Sequence, residues 1–216
     1  MTFAKMLELL SVAMIATGEI FFLTLLLSLP LGLVIAFGRM SKNAVLRNVT
    51  KFYISVMRGT PLMLQLLVVY FGPYYMLGIK LSTGYRFIAA IIGFVLNYAA
   101  YFAEIYRAGI ESISIGQYEA AHVLGYSKAQ TFFKIILPQV VKRILPPVTN
   151  EVITLVKDTS LAFVIAFPEM FTKAKEIAAA EKAMMPYVIA GAFYYVFNFL
   201  VAAGMEKVEK RLSYYR

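Results

Sequence analysis

The apolar positions of this chain fall in long unbroken runs, without the two-residue alternation of a half-buried strand. Five runs, about 15–38, 55–77, 86–107, 149–168 and 186–205, are long enough to cross a hydrocarbon layer of about 30 Å. Lipid offers the backbone no hydrogen-bond partner, so each run is expected as a helix. The predicted fold class is an all-α membrane protein, a polytopic bundle of about five transmembrane helices. The first run is overlong for one crossing. Leu9–Ala16 is therefore expected at the interface or beyond it, and Pro30 is expected to bend the helix. No internal repeat or soluble domain interrupts the pattern, and 1–216 reads as a single transmembrane domain.

The third and fourth runs are joined by 108–148, about forty residues where bundle connections usually take 2–8. Ser114 with Gln117 and Ser127 with Gln130 have the spacing of capping boxes, in which the serine accepts from a backbone N–H and the glutamine reaches back. Gly125 supplies a permissive turn between them, and Pro138 is expected to end or kink the second helix. The expectation is a helix–turn–helix at about 115–124 and 128–136. Ala120, Ala121 and Gly125 have almost no side chain, so their surface would admit another protein's backbone closely. Phe132, Phe133, Ile135, Ile136 and Leu137 would anchor the second helix to the bundle. An amphipathic interfacial element without a partner fits the same pattern.

Composition sharpens this reading: 61% of residues are hydrophobic and 15% charged, against about 45–50% apolar in a soluble domain. The net charge of +9 does not point to nucleic acid, because Lys and Arg sit mainly between the apolar runs. With the C-terminus inside, the inner segments hold Arg39, Lys42, Arg47 and Lys51, then Arg107, Lys128, Lys134, Lys142 and Arg143, then Lys207, Lys210, Arg211 and Arg216. The outer side then holds Lys5, Lys80, Arg86, Lys173, Lys175 and Lys182. Thirteen cations against six predict an N-terminus outside, a C-terminus inside and a cytoplasmic 108–148 segment. The chain has no Cys, and His122 is its sole His, so no metal site is expected. It also lacks a G-x-x-x-x-G-K-[ST] phosphate loop and any convincing nucleophile, base and acid set. No catalytic residue is assigned.

Ionisable groups inside a span are costly and are functional candidates by default. Glu151, Thr154 and Asp158 share one stripe of the fourth run; Asn97, Tyr101 and Glu104 share one of the third. The two runs point in opposite directions, so Asn97 and Asp158 are expected at one level and Glu104 and Glu151 about 10 Å below it. A zwitterionic solute needs a carboxylate partner and an ammonium partner, and an excess of acids favours a solute with added positive charge. Glu151, Asp158 and Asn97 are accordingly the candidate substrate residues, with Met63, Leu67 and Tyr70 as an adaptable stripe that lines a pathway or packs. Glu104 has an alternative use as a partner of Arg107, and Lys157-Asp158 has a structural one. Thr60 is expected to cap the second span and Arg58 to sit near the headgroups. Ala89 with Gly93, and Ala99 with Ala103, read as close-packed seams.

The run Glu119-Ala120-Ala121, Gly125, Ile135 and Leu137-Pro138 resembles the EAA loop of permease subunits in binding-protein-dependent ABC importers. Arg58-Gly59-Thr60-Pro61, Ala100-Tyr101 with Ala103-Glu104, Arg107-Ala108-Gly109-Ile110, Gly116-Gln117 and Lys157-Asp158-Thr159-Ser160-Leu161 resemble the polar amino acid (histidine/glutamine-type) branch of that family. The resemblance runs from the second span to near the C-terminus. It implies a non-catalytic transmembrane subunit whose Glu119, Ala120, Ala121 and Gly125, with Gly116 and Gln117 beside them, couple to a separate ABC ATPase. It also implies no cofactor in this chain, with ATP and magnesium on the partner ATPase. An extracytoplasmic solute-binding protein and an amino acid substrate follow from the same likeness, and the acids favour arginine, lysine or histidine. Five spans make a small pathway, so a second permease subunit, identical or similar, is expected. The competing functional classes are an ion-coupled secondary transporter or channel, and a membrane anchor or scaffold without transport. Neither requires the long cytoplasmic element.

Overall fold

In the computed structural model, which describes residues 1–82 and 84–212, the described residues are helical apart from short connections. Arg216, counted above among the inner cations, lies outside the described residues. Helix α1, Phe3–Arg39, is capped by Thr2 and continues through Pro30. Its 37 residues make about 55 Å, well beyond a hydrocarbon core. The surplus is covered by protein: Met6, Leu10 and Ala13 pack with Met170, Ala174 and Ile177 of helix α8 and with Ile189 and Ala190 of α9. Helix α8 is Met170–Glu181 and α9 is Met185–Leu212. The sequence reading leaves the α8 region as a plain connection. Glu169 starts this helix instead, its two carboxylate oxygens accepting from the N–H groups of Phe171 and Thr172, each at 2.7 Å.

The expected single span at 55–77 is corrected. Helix α2, Ala44–Gly59, and helix α3, Leu62–Leu77, meet at a bend of 110°. The cause is local: proline disfavours helical backbone in the residue before it, and Thr60 is extended, at φ −123° and ψ 148°. The Thr60 hydroxyl does not cap α3; it donates back to the Val56 carbonyl at 2.8 Å. By length and apolarity α1, α4 (Tyr85–Glu111) and α9 each suffice to cross a membrane, and the bent pair makes a fourth.

The helix–turn–helix is present as α5, Ile115–Val123, and α6, Lys128–Gln130. The Ser127 box closes at both ends, whereas Ser114 accepts from Gly116 N–H and Gln117 turns instead to Gln139. The expected stop at Pro138 is also corrected. The helix passes from α6 through a π-helical segment, Thr131–Ile136, into α7, Leu137–Asp158, and ends in a 3-10 turn, Thr159–Ile165. Pro138 falls in the first turn of α7 just after the wider π turn, where a missing N–H is tolerated. The predicted fourth span is thus the end of a longer helical run, and it packs between α4 and α9.

The seam that organises the bundle joins α1 to α4, the most extensive helix pairing in the fold. Thr24, Ser28, Gly32 and Ala36 recur every four residues along α1, and all are buried. Among the described residues the Thr24 and Ser28 hydroxyls have no hydrogen-bond partner, so these positions are used for their small size. A Cβ at Gly32 would stand 2.8 Å from Phe102 Cβ and 3.0 Å from the Ala99 carbonyl oxygen, and backbone cannot yield as a flexible side chain does. Gly18, on the same helix, has open space around it. Gly32→Val is expected to cost about 1–3 kcal/mol by overpacking and to lower the melting temperature of the detergent-purified chain. Gly18→Ala should leave it unchanged or raise it slightly, since alanine favours the helix and meets no neighbour, and the pair of melting curves checks the seam.

Candidate functional site

Helices α4 and α7 lie antiparallel, and their polar groups meet level by level. The Tyr98 hydroxyl donates to Asp158 Oδ2 at 2.7 Å. Towards the other end, Arg143 donates to the Ser112 hydroxyl at 2.9 Å and to its carbonyl, closing the C-terminal end of α4 with a cation. Between these levels Glu104 and Glu151 line one cavity of about 530 Å³, together with Arg58, Tyr101, Ser112 and Arg143. Glu104 and Glu151 therefore share one cavity as their predicted level requires, whereas Asp158 meets Tyr98 and not the expected Asn97.

Asn97 departs from its expected place. It is buried, and its amide nitrogen donates to the Met57 carbonyl at 3.1 Å and to Gln65 Oε1 at 2.9 Å. Gln65 in turn donates to the Met57 and Thr60 carbonyls and to the Thr60 hydroxyl, at 3.0, 3.1 and 2.8 Å. The two amides fill the gap left where α2 breaks from α3 and satisfy carbonyls that have lost their helical partners. Asn97 holds the bend and does not face the cavity. Gln65 escaped the sequence reading because one glutamine in an apolar run has no spacing signal. Only the break itself, legible in Thr60-Pro61, could have marked it.

Glu104 pairs with Arg107 through both oxygens, at 2.7 and 3.1 Å, as its i+3 spacing suggests. Arg39 and Arg58 approach the same carboxylate at 3.9 and 3.8 Å. Arg58, expected at the headgroups, turns inward, its guanidinium 5.3 Å above the Tyr101 ring. No acidic residue occurs between Glu19 and Glu104, so α1 beyond Glu19, α2 and α3 bring only cations to this cluster. Met63, Leu67 and Tyr70 are half-buried on α3. Leu67 and Tyr70 pack against the core, and Tyr70 stacks on Tyr85.

On the 108–148 segment, Gly116, Gln117, Glu119, Ala120 and Gly125 are exposed. Ala121 is not: it is 1% exposed, and α5 lies against the π-helical segment. The expectation that Ala121 offers surface to a partner is corrected. Its small side chain serves close packing beneath α5. Gly125 has φ +76°, its N–H donates to the His122 carbonyl, and Tyr126 N–H donates to the Ala121 carbonyl. This Schellman ending requires the left-handed backbone that glycine adopts freely. Beyond it, Val123 and Leu124 are 86% and 72% exposed, an apolar tip unlike a solvated loop. Beside the tip a groove of about 430 Å³ is lined by Tyr118, His122, Tyr126, Lys128, Thr131 and Phe132. Among the described residues no group of three His, Asp or Glu side chains could hold a metal.

Comparison with known proteins agrees with this architecture. A probable amino-acid ABC transporter permease protein (YckA) of Bacillus subtilis (strain 168) is 42% identical over 196 residues, 90% of this chain and 84% of that protein. The arginine transport system permease protein ArtQ of the same organism is 37% identical over 91% of this chain and 89% of its own length. The L-cystine permease protein TcyB, also from that organism, is 38% identical over 89% and 82%. A crystal structure of an amino acid ABC transporter with histidines superposes with a TM-score of 0.87 at 33% identity, covering 98% of this chain and 99% of that one. Residues 28–214 match the binding-protein-dependent transport system inner membrane component family, and the chain belongs to it.

Proposed function

We propose that this chain is the membrane-spanning permease subunit of an amino acid ABC importer that favours basic amino acids. A separate ATPase docks on the 108–148 segment and drives alternating access. The single observation that carries the reading is the cavity between α4 and α7, where Glu104 and Glu151 converge beside the root of α5. Relatives named for arginine, glutamine and cystine support the amino acid class. The preference for arginine, lysine or histidine rests on Glu151, with Asp158 at the next level, where Tyr98 orients its carboxylate. Met63, Leu67 and Tyr70 lie on α3 outside the lining of this cavity and are left to packing.

The docking surface comprises Gly116, Gln117, Glu119 and Ala120 with the tip after Val123, while Ala121 and Gly125 set the shape of α5 from below. The Gln117 to Gln139 hydrogen bond, at 3.3 Å, links α5 directly to α7, so displacement of α5 pulls on the helix that bears Glu151. ATP and magnesium bind the partner ATPase. A second permease subunit completes the pathway, an extracytoplasmic solute-binding protein delivers the solute, and the N-terminus lies outside with the C-terminus inside.

Uptake into proteoliposomes holding the chain, its ATPase and its binding protein is expected to require ATP and to survive collapse of ion gradients. Uptake without nucleotide that follows an ion gradient would identify a secondary transporter instead. Glu151→Gln is expected to reduce arginine and lysine uptake by about tenfold or more while sparing glutamine, from the loss of one charged hydrogen bond. Equal losses for all three would make Glu151 structural. Ala120→Arg should abolish co-purification of the ATPase with the melting temperature unchanged, because Ala120 is exposed; retained association would move the dock elsewhere.

A further inference from the structure

The amino-acid reading of the cavity leaves one pole of the solute without a partner. Glu151 suits an ammonium or guanidinium group, yet a free amino acid also carries a carboxylate. Among the residues expected from the sequence to bind substrate, none is a cation. The geometry supplies one.

Arg58 stands in the last turn of α2, directly before the bend, and lines the same cavity as Glu151. Among the described residues its guanidinium makes no hydrogen bond. Its contact with Glu104 is 3.8 Å long, beyond hydrogen-bond distance. Glu104 does not depend on it, since Arg107 occupies both carboxylate oxygens and Arg39 stands at 3.9 Å. The Arg58 side chain is 44% exposed, and its guanidinium carbon lies 5.3 Å from the centre of the Tyr101 ring, within cation–π range. A planar fork of donors with no hydrogen bond committed elsewhere is the group that receives a carboxylate in bidentate fashion.

We propose that Arg58 receives the α-carboxylate of the transported amino acid, with Glu151 on α7 taking its cationic side chain. The assignment rests on the amino-acid reading of the cavity. Two walls of opposite charge, one from α2 and one from α7, then fix the solute's orientation.

The test uses the detergent-solubilised complex of the chain with its ATPase and measures equilibrium binding of labelled L-arginine and of agmatine, which is arginine without its carboxylate. The wild type is expected to prefer arginine by about 10- to 100-fold, the effect of one charge-assisted bidentate contact. Arg58→Gln should bring arginine down to the agmatine level and leave agmatine unchanged. Arg58→Lys should recover part of the difference, because it keeps the charge and loses the fork. Equal losses of both ligands in Arg58→Gln, unchanged arginine binding, or a wild type that does not discriminate would each overturn the proposal. If Arg58→Gln does not assemble, Arg58→Lys carries the comparison, and a loss shared equally by both ligands overturns it. L-Glutamine and 4-aminobutanamide, the same comparison with an uncharged side chain, run alongside. A complex that ignores arginine but shows the Arg58-dependent difference in this second pair upholds Arg58 and refutes only the basic preference. No saturable binding of any of the four by the wild type refutes the amino-acid reading of the cavity, and Arg58's part falls with it.

Discussion

The close approach of α1 to α4 is the contact on which the remaining geometry depends. In lipid there is little hydrophobic gain from bringing two apolar helices together, so the seam relies on contact density, which small residues permit. Gly32 lets α1 lie against the backbone of α4 around Ala99 and Phe102, and Ala36 extends the contact to Ala100 and Ala103. That approach carries Arg39 to Glu104 and gives α2 a surface to fold back on through Ile54. The cavity is therefore a product of packing before it is a product of charge.

The break between α2 and α3 shows how a membrane protein tolerates irregular backbone at depth. Carbonyls released from the ladder are costly in hydrocarbon unless partners are built in, and Gln65 and Asn97 are those partners. The arrangement leaves the end of α2 free to point a cation inward.

Much of this was legible along the chain, and the misses have physical causes. The first, third and fifth apolar runs, the Ser127–Gln130 box and the i+3 pairing of Glu104 with Arg107 follow local rules and appear as expected. The shared level of Glu104 and Glu151 follows from helix rise and direction alone. Asn97 was misread because a polar residue in a span has two uses, facing a pathway or satisfying a broken backbone, and only tertiary contacts separate them. Pro138 was misread because the π turn before it removes the steric conflict that ends an ordinary helix. Helix α8 was missed because 12 residues with four interspersed charges leave no long apolar run, and its cap is a glutamate that accepts hydrogen bonds from the first turn and from Tyr194. Ala121 and Ala120 are neighbours in a small-residue pair, yet one packs inward and the other faces out.

The stretch without acidic residues between Glu19 and Glu104 bears on the order in which the molecule is made. Synthesis proceeds from the N-terminus, so Arg39 and Arg58 emerge long before the carboxylate that joins them. Until α4 inserts, α1, α2 and α3 carry no acidic partner after Glu19, and the break after Arg58 is exposed without the Asn97 amide that helps seal it. The third apolar run thus brings the carboxylate that Arg39 and Arg58 approach, the partner face of the α1 seam and the amide that helps seal the bend in one event. A chain halted before residue 97 has none of the three.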